Sequence, residues 1–167
     1  MIELYKGSEH FFKQLPKGVF MTVKGEQGVN TMTIAWGHLG IIWNKPVFIA
    51  YVRYSRYTYS LLKTAKCFTI NVPKIGDLNE ALKIAGTQSG RDGDKFHVAQ
   101  LTVMPSQTVE TPVIKECPLN YECKLLYRQT QEPSLIPQSI QTKHYPNDDT
   151  HIMFFGEITH ISENDNA

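Results

Sequence analysis

From residue 18 onward, apolar and polar positions fall mostly into short runs of strand length, not into long 3.6-residue periods. Residues 18–23 (GVFMTV) predict a first strand, and KGEQG at 24–28 a hairpin turn. Residues 29–36 (VNTMTIAW) alternate in part, with Val29, Met32, Ile34 and Trp36 apolar and Asn30, Thr31 and Thr33 among them. That pattern predicts a strand with one face at least partly polar. A polar row on a buried strand needs partners, and a ligand is one possible partner. Residues 37–45 (GHLGIIWNK) read as a loop with an apolar middle. Pro46 opens the next strand, where proline is tolerated, and residues 47–52 are apolar without a break, as in a strand covered on both faces.

Helical signals are fewer. Residues 9–15 predict a short turn of helix ended by Pro16. Residues 58–66 (TYSLLKTAK) predict a short helix with Leu61, Leu62 and Ala65 as its stripe, and CFTINV at 67–72 returns as a strand. A second helix is expected from Asp77, read as N-cap with Glu80 three residues on, through Leu78, Ala81, Leu82 and Ala85 to a stop at Gly86. TQSGRDGDKF at 87–96 is too polar and glycine-rich for a core; it is a surface loop or a second ligand edge. Beyond it come short strand candidates at 101–104 and 108–116, a longer one at 121–129, and an irregular stretch with two prolines at 132–137. Residues 139–145 read as strand or loop, 146–150 as a turn, and 151–161 (HIMFFGEITHI) as a last strand with Gly156 a candidate bulge. The tail SENDNA is expected to fray. A doubly wound sheet would need a helix after nearly every strand. Two sizeable helices, both in the first half, predict instead a small barrel closed by hairpins with helices packed outside.

Between the apolar strand at 47–52 and the helix that follows lies a turn carrying Arg53, Ser55, Arg56 and Thr58. A helix start offers unpaired N–H groups, and arginine adds a rigid donor fork, so this turn is a candidate anion site. A solvated turn with surface-paired arginines is the plain alternative.

Composition narrows the classes. The 167 residues suit one domain, and 41% hydrophobic content is enough for a core. A net charge of +1 gives no broad basic face, so the tyrosines and arginines at 51–59 are not read as a nucleic-acid platform, and several of the tyrosines are read as packing residues. No apolar run is long enough to span a bilayer, and the N-terminal segment lacks a basic head followed by an apolar core, so neither membrane nor secretion is expected. Cys67, Cys117 and Cys123 form no disulfide framework or CxxC, which points to a reducing compartment, with the cytoplasm as default. The spacing of these cysteines with His144 and His151 matches no compact zinc pattern, so no metal is expected.

The stretches NTMTIAWGHLG, PVFIAYVRYSRYTYSLL, CFTINVP and SGRDGDKF, in this order and spacing, resemble the flavin reductase-like family with the FMN-binding split-barrel fold, including its flavoredoxin branch. The similarity covers residues 16–161. It implies a mainly β chain, a single domain over 1–167, forming an FMN-binding split β-barrel of Greek-key type with flanking helices. It implies FMN as cofactor and NAD(P)H as electron donor, in an oxidoreductase that passes hydride to flavin. The alternatives are a flavoredoxin-type electron carrier with a redox partner protein and a binding-only flavin protein. By the same resemblance Asn30, Thr31, Met32 and Thr33 lie along the flavin ring and ribityl side, continued by Ala35 and Trp36. Arg53, Ser55, Arg56 and Thr58 match the phosphate region. Asn71 lies near the flavin, and Ser89, Gly90, Arg91 and Lys95 match a segment beside it. His151 is the candidate catalytic residue, facing the nicotinamide or a small-molecule substrate. The stretch after the last strand is short beside many members of the family. Trp43 is expected to serve core or dimer packing, and a homodimer is expected because an open barrel with aromatic loops such as GIIW needs cover. The residues do not choose between NADH and NADPH.

Overall fold

A computed structural model of the chain describes residue 3 and residues 7–163. Among the described residues, nine strands and five α-helices follow in the order α1 (Ser8–Gln14), β1 (Val19–Gly25), β2 (Gly28–Ile34), β3 (Gly37–Ile42), β4 (Lys45–Arg53), α2 (Tyr57–Leu62), β5 (Cys67–Val72), α3 (Asn79–Thr87), α4 (Lys95–Val98), β6 (Val103–Met104), β7 (Val113–Ile114), β8 (Leu119–Thr130), α5 (Gln138–His144) and β9 (His151–Glu163). Single 3₁₀ turns at Leu15–Lys17 and Pro133–Leu135 join them. Seven strands make one antiparallel sheet in the order β2-β1-β5-β8-β9-β4-β3, and β6 and β7 form a separate ribbon.

The expected closed barrel is not what forms: among the described residues no sheet closes on itself. The pairing scheme gives the reason. The sheet ends in β2 and β3, each paired on one side only and not with each other, and β4 has both edges occupied by β9 and β3, so it cannot take β2 either. β2 runs close to β4 without pairing to it. Its outer edge is met by a side chain instead of a strand, as the Lys95 ammonium donates to Thr31 O at 2.9 Å. A cation on a free edge is one way of preventing further strand addition. The mainly β character and the flanking helices stand.

Other local differences have causes that lie outside the segments themselves. The stretch 37–45 is β3 plus a two-residue turn, Trp43 and Asn44, both with positive φ. Such a turn suits a hairpin, but Trp-Asn lacks the usual Asn-Gly signature. α3 starts at Asn79 behind a left-handed Leu78, so Asp77 is not its cap and the capping box is unused. Asp77 N–H instead closes a turn onto Lys74 O, and Leu78 packs on the Phe20–Leu82 cluster; apolar burial sets this register. Residues 138–144 form α5, although only Ile140 in them is strongly apolar. Gln141 ties that helix down by donating to Pro133 O and Ile136 O. β9 runs on to Glu163, so Ser162 and Glu163 of the tail belong to the sheet and the remainder lies outside the described residues.

The main core lies inside the curved sheet, where Phe11, Phe48, Phe68, Tyr121 and Phe154 are fully buried and the first four meet largely edge to face. A second cluster fills the space between Phe20 and the helices, with Ala81, Leu82, Ala85 and Ile114. Pairing between β8 and β9 slips beside Gly156, where Leu125 faces Gly156 but Tyr127 faces Phe155. A Cβ on Gly156 would stand 2.6 Å from Phe68 Cε1 and 2.7 Å from Cys123 Cβ. Gly156→Ala is therefore expected to destabilise the fold by about 1–3 kcal/mol through overpacking, which outweighs the fraction of a kcal/mol gained from a stiffer unfolded chain. The midpoint of urea unfolding reads this directly; an unchanged midpoint would show that Phe68 can move aside.

Candidate functional site

Because β2 and β4 do not pair, a cleft opens between them. Alternation along β4 puts Ala50 and Val52 in the core and turns Tyr51 and Arg53 to this side. One part of the cleft, about 170 Å³, is lined by Met32, Thr33, Ile34, Ala35, Trp36, Tyr51, Arg53, Arg56 and His151. An adjoining part of about 130 Å³ shares Met32 and Arg56 and is completed by Asn30, Ser55, Tyr57, Thr58, Ala85, Thr87, Gln88, Ser89, Arg91 and Lys95. The first part has aromatic walls. The second carries three cations and no carboxylate among its lining residues.

Each cation in the second part is held differently. Lys95 is buried at the first turn of α4, where Asp94 caps the helix by accepting from Phe96 N–H and His97 N–H. Two of its ammonium protons go to Thr31 O and Ala85 O, both at 2.9 Å, which leaves a third donor at the cavity wall. Burial first, and the Arg56 guanidinium second, lower its pKa to about 8. Arg56 is exposed and donates to Gly86 O at the end of α3. Arg91 lies over the Tyr57 ring, 5.2 Å from its centroid. Asn30 donates to Thr58 Oγ at 2.9 Å, so the buried Thr58 hydroxyl is positioned from across the cleft. α2 has only six residues, so these side chains, more than a helix dipole, give the pocket its positive character.

The turn residues divide between the two parts. Arg53 belongs to the aromatic end: it donates to Asp149 O at 2.6 Å and His144 O at 2.8 Å and covers the Tyr145 ring. Ser55 stands at the rim, and its N–H and hydroxyl both go to the Asp149 carboxylate. Together these contacts tie the segment after α5 to the turn after β4. His151, buried at the start of β9, packs against Trp36 with ring centroids 4.8 Å apart, and its Nδ1 lies 2.9 Å from the Tyr145 hydroxyl. Burial, with Arg53 and Arg56 nearby and only partly offset by Asp149, lowers its pKa to about 4, so the imidazole is neutral at physiological pH.

Of the residues expected from the sequence, Asn30, Met32, Thr33, Ala35, Trp36, Arg53, Ser55, Arg56, Thr58, Ser89, Arg91, Lys95 and His151 line the cleft. Three do not. The Thr31 hydroxyl is buried against Met21 O and Thr22 Oγ, and only its carbonyl turns toward Lys95. Asn71 is fully buried, donates to Thr22 Oγ and Thr69 Oγ and accepts from Ile114 N–H; it joins strands in the core and reaches no cavity. Gly90 lies behind the cation-lined pocket, close against Asn30 and Tyr57, where any side chain would collide. Trp43 is 55% exposed at the hairpin tip, against Tyr127 and Phe155, so it is not a core residue. The residues not foreseen as lining are Ile34, Tyr51, Tyr57, Ala85, Thr87 and Gln88. Tyr51 could have been found from period-two spacing with Arg53. Nothing local pointed to Tyr145 or Gln131, which sit behind His151.

The site is thus an open antiparallel sheet with a cation-lined pocket opening into an aromatic-walled cleft. Comparison with known proteins narrows this. Residues 12–167 match the profile of the flavin reductase like domain, and the chain belongs to that family. An uncharacterised protein of Archaeoglobus fulgidus is 31% identical over 150 residues, covering 90% of this chain and 74% of that one. The structure of the flavoredoxin of Desulfovibrio vulgaris superposes with a TM-score of 0.69 at 23% identity, covering 89% of this chain and 69% of that one. An FMN-binding protein from Thermus thermophilus, crystallised with 1-cyclohex-2-enone, superposes with a TM-score of 0.69 at 22% identity over 89% of this chain and 72% of that one.

Proposed function

We propose that the cleft binds FMN and that the protein is an NAD(P)H-dependent flavin reductase. The observation that carries the reading is the charge of the second pocket: Arg56, Arg91 and Lys95 converge with the Thr87 and Ser89 hydroxyls, and no lining carboxylate offsets them. Lys95 is buried while Arg56 and Arg91 are exposed at the rim; a buried cation is normally paired, and a phosphate monoester is the kind of partner this set fits. Next to it, the β2 segment from Met32 to Trp36 and the aromatic side chains of Tyr51 and Trp36 give the flat, partly apolar surface a ring system needs. The residues present therefore fit the cofactor's two ends. When bound, FMN supplies the hydride-accepting ring and reduced nicotinamide supplies the hydride. The protein's share is placement. Arg56, Arg91 and Lys95 anchor the charged end, the free edge of β2 runs beside the rest, and Trp36 with neutral His151 walls the end where a second ring would stack.

The test is a visible spectrum of the purified protein with FMN, followed anaerobically after NADH or NADPH is added. Flavin absorbance is expected to bleach within a steady-state turnover and to recover when an acceptor is supplied. A protein that holds FMN but bleaches only when a partner protein is present would be a carrier of the flavoredoxin kind. Failure to take up FMN at all would end the reading.

A further inference from the structure

The hydrogen bonds behind His151 determine which of its ring nitrogens carries the proton. Gln131 Oε1 accepts the backbone N–H of His151 at 3.0 Å, which identifies that amide atom as the oxygen. The same oxygen lies 3.0 Å from the Tyr145 hydroxyl. An amide oxygen only accepts, so the single Tyr145 proton points to Gln131. The Tyr145 oxygen, 2.9 Å from His151 Nδ1, can then only accept, and Nδ1 must be the protonated nitrogen. Arg53 and Tyr51 on β4, Arg56 ahead of α2, Tyr145 after α5 and Asp149 before β9 are the titratable or charged groups around the ring. Two guanidiniums against one carboxylate, together with burial, keep the ring from taking a second proton. Nε2 is left with its lone pair. It makes no hydrogen bond to any described residue, and His151 lines the aromatic end of the cleft beside Trp36 and Tyr51.

We propose that His151 is a tautomer-locked hydrogen-bond acceptor and that this end of the cleft selects flat aromatic ligands bearing an O–H or N–H, with phenols the simplest such class. The ligand half of the proposal rests on the cleft being the flavin and substrate site; the tautomer half does not. Gln131 and Tyr145 are positioning residues, acting through His151. Without Gln131 the Tyr145 O–H is released and can donate to Nδ1, which places the ring proton on Nε2, where it would repel the same donors.

Two-bond proton–nitrogen correlation spectra of the full chain, labelled with ring-¹⁵N histidine and recorded at neutral pH with and without FMN, test this. His151 is expected to be protonated on Nδ1 in both samples. Gln131 is half-buried at the end of β8, and Gln131→Leu is expected to shift the proton to Nε2. Tyr145→Phe, which removes the acceptor itself, should also lose the Nδ1–H form and covers the case in which the first variant does not fold. Phenol is expected to shift the Nε2 resonance of the wild type, whereas anisole, the same ring without an O–H, leaves it in place and binds about tenfold more weakly. A wild-type proton on Nε2, or a tautomer indifferent to both substitutions, would overturn the lock. Equal binding of phenol and anisole would overturn the selection. A locked histidine in a protein that takes up no FMN would remove the flavin reading and leave the lock standing.

Discussion

Replacing Arg56 with alanine is expected to weaken FMN binding by about ten- to a hundredfold while leaving the fold intact. Arg56 and Met32 line both parts of the cleft, and Arg56 is the one cation among their lining residues that does so. A hydrogen bond to a charged group contributes about 1.5–3 kcal/mol, and each 1.4 kcal/mol is a factor of ten in affinity. Inside the protein Arg56 makes one exposed bond, 3.2 Å to Gly86 O, which water replaces at little cost. Quenching of FMN fluorescence measures the affinity, and the thermal midpoint checks the fold. An unchanged dissociation constant would remove Arg56 from the site.

The second large effect is a pH dependence set by Lys95. An ordinary lysine stays charged past pH 10, but burial and Arg56 bring this one to about 8. Below that pH the ammonium is present and attracts phosphate. As pH rises through it, the free protein loses the charge while the complex, stabilised by the phosphate, keeps it longer, so binding must weaken. On the acid side, a phosphate monoester loses its second negative charge near pH 6. FMN affinity is therefore expected to peak between roughly pH 6 and 8 and to fall on the alkaline side by up to about tenfold per pH unit. Lys95→Met should flatten the alkaline limb and lower affinity throughout, at some cost in stability because Thr31 O and Ala85 O lose their donor. Titrations of FMN from pH 6 to 10 read the limb; a wild-type affinity that stays level across it would show that Lys95 does not meet the phosphate. His151, neutral down to about pH 4, contributes nothing to this range.

Much of the cleft is legible in the sequence because its residues sit in short, continuous stretches. The polar positions of β2 and the Arg53–Thr58 turn stand out against strongly apolar neighbours, and Arg91 and Lys95 follow in a loop too polar for the core. Where local pattern misleads, the deciding contact is distant. Asn71 looks like a strand-end ligand group, but Thr22, Thr69 and Ile114 take up its side chain. α5 carries no amphipathic pattern and is held by Gln141 reaching back to Pro133 and Ile136. The β3–β4 hairpin turns on two non-glycine residues with positive φ, which no turn signature announces.

Two things were determined by the sequence alone: that strands dominate, with a donor-rich turn after a buried one, and that the chain carries a family's four motifs in order. Both follow from local pattern, since side-chain periodicity and turn chemistry act over a few residues. The tertiary structure alone decided that the sheet stays open, that the gap between β2 and β4 is the cleft, and that Gln131 and Tyr145 orient His151. Those outcomes depend on which strand edge is already paired and on hydrogen bonds such as Tyr145 to Gln131 and Ser55 to Asp149. Partners far apart in the chain are brought together by the packing of the whole core, and no segment's own pattern encodes them.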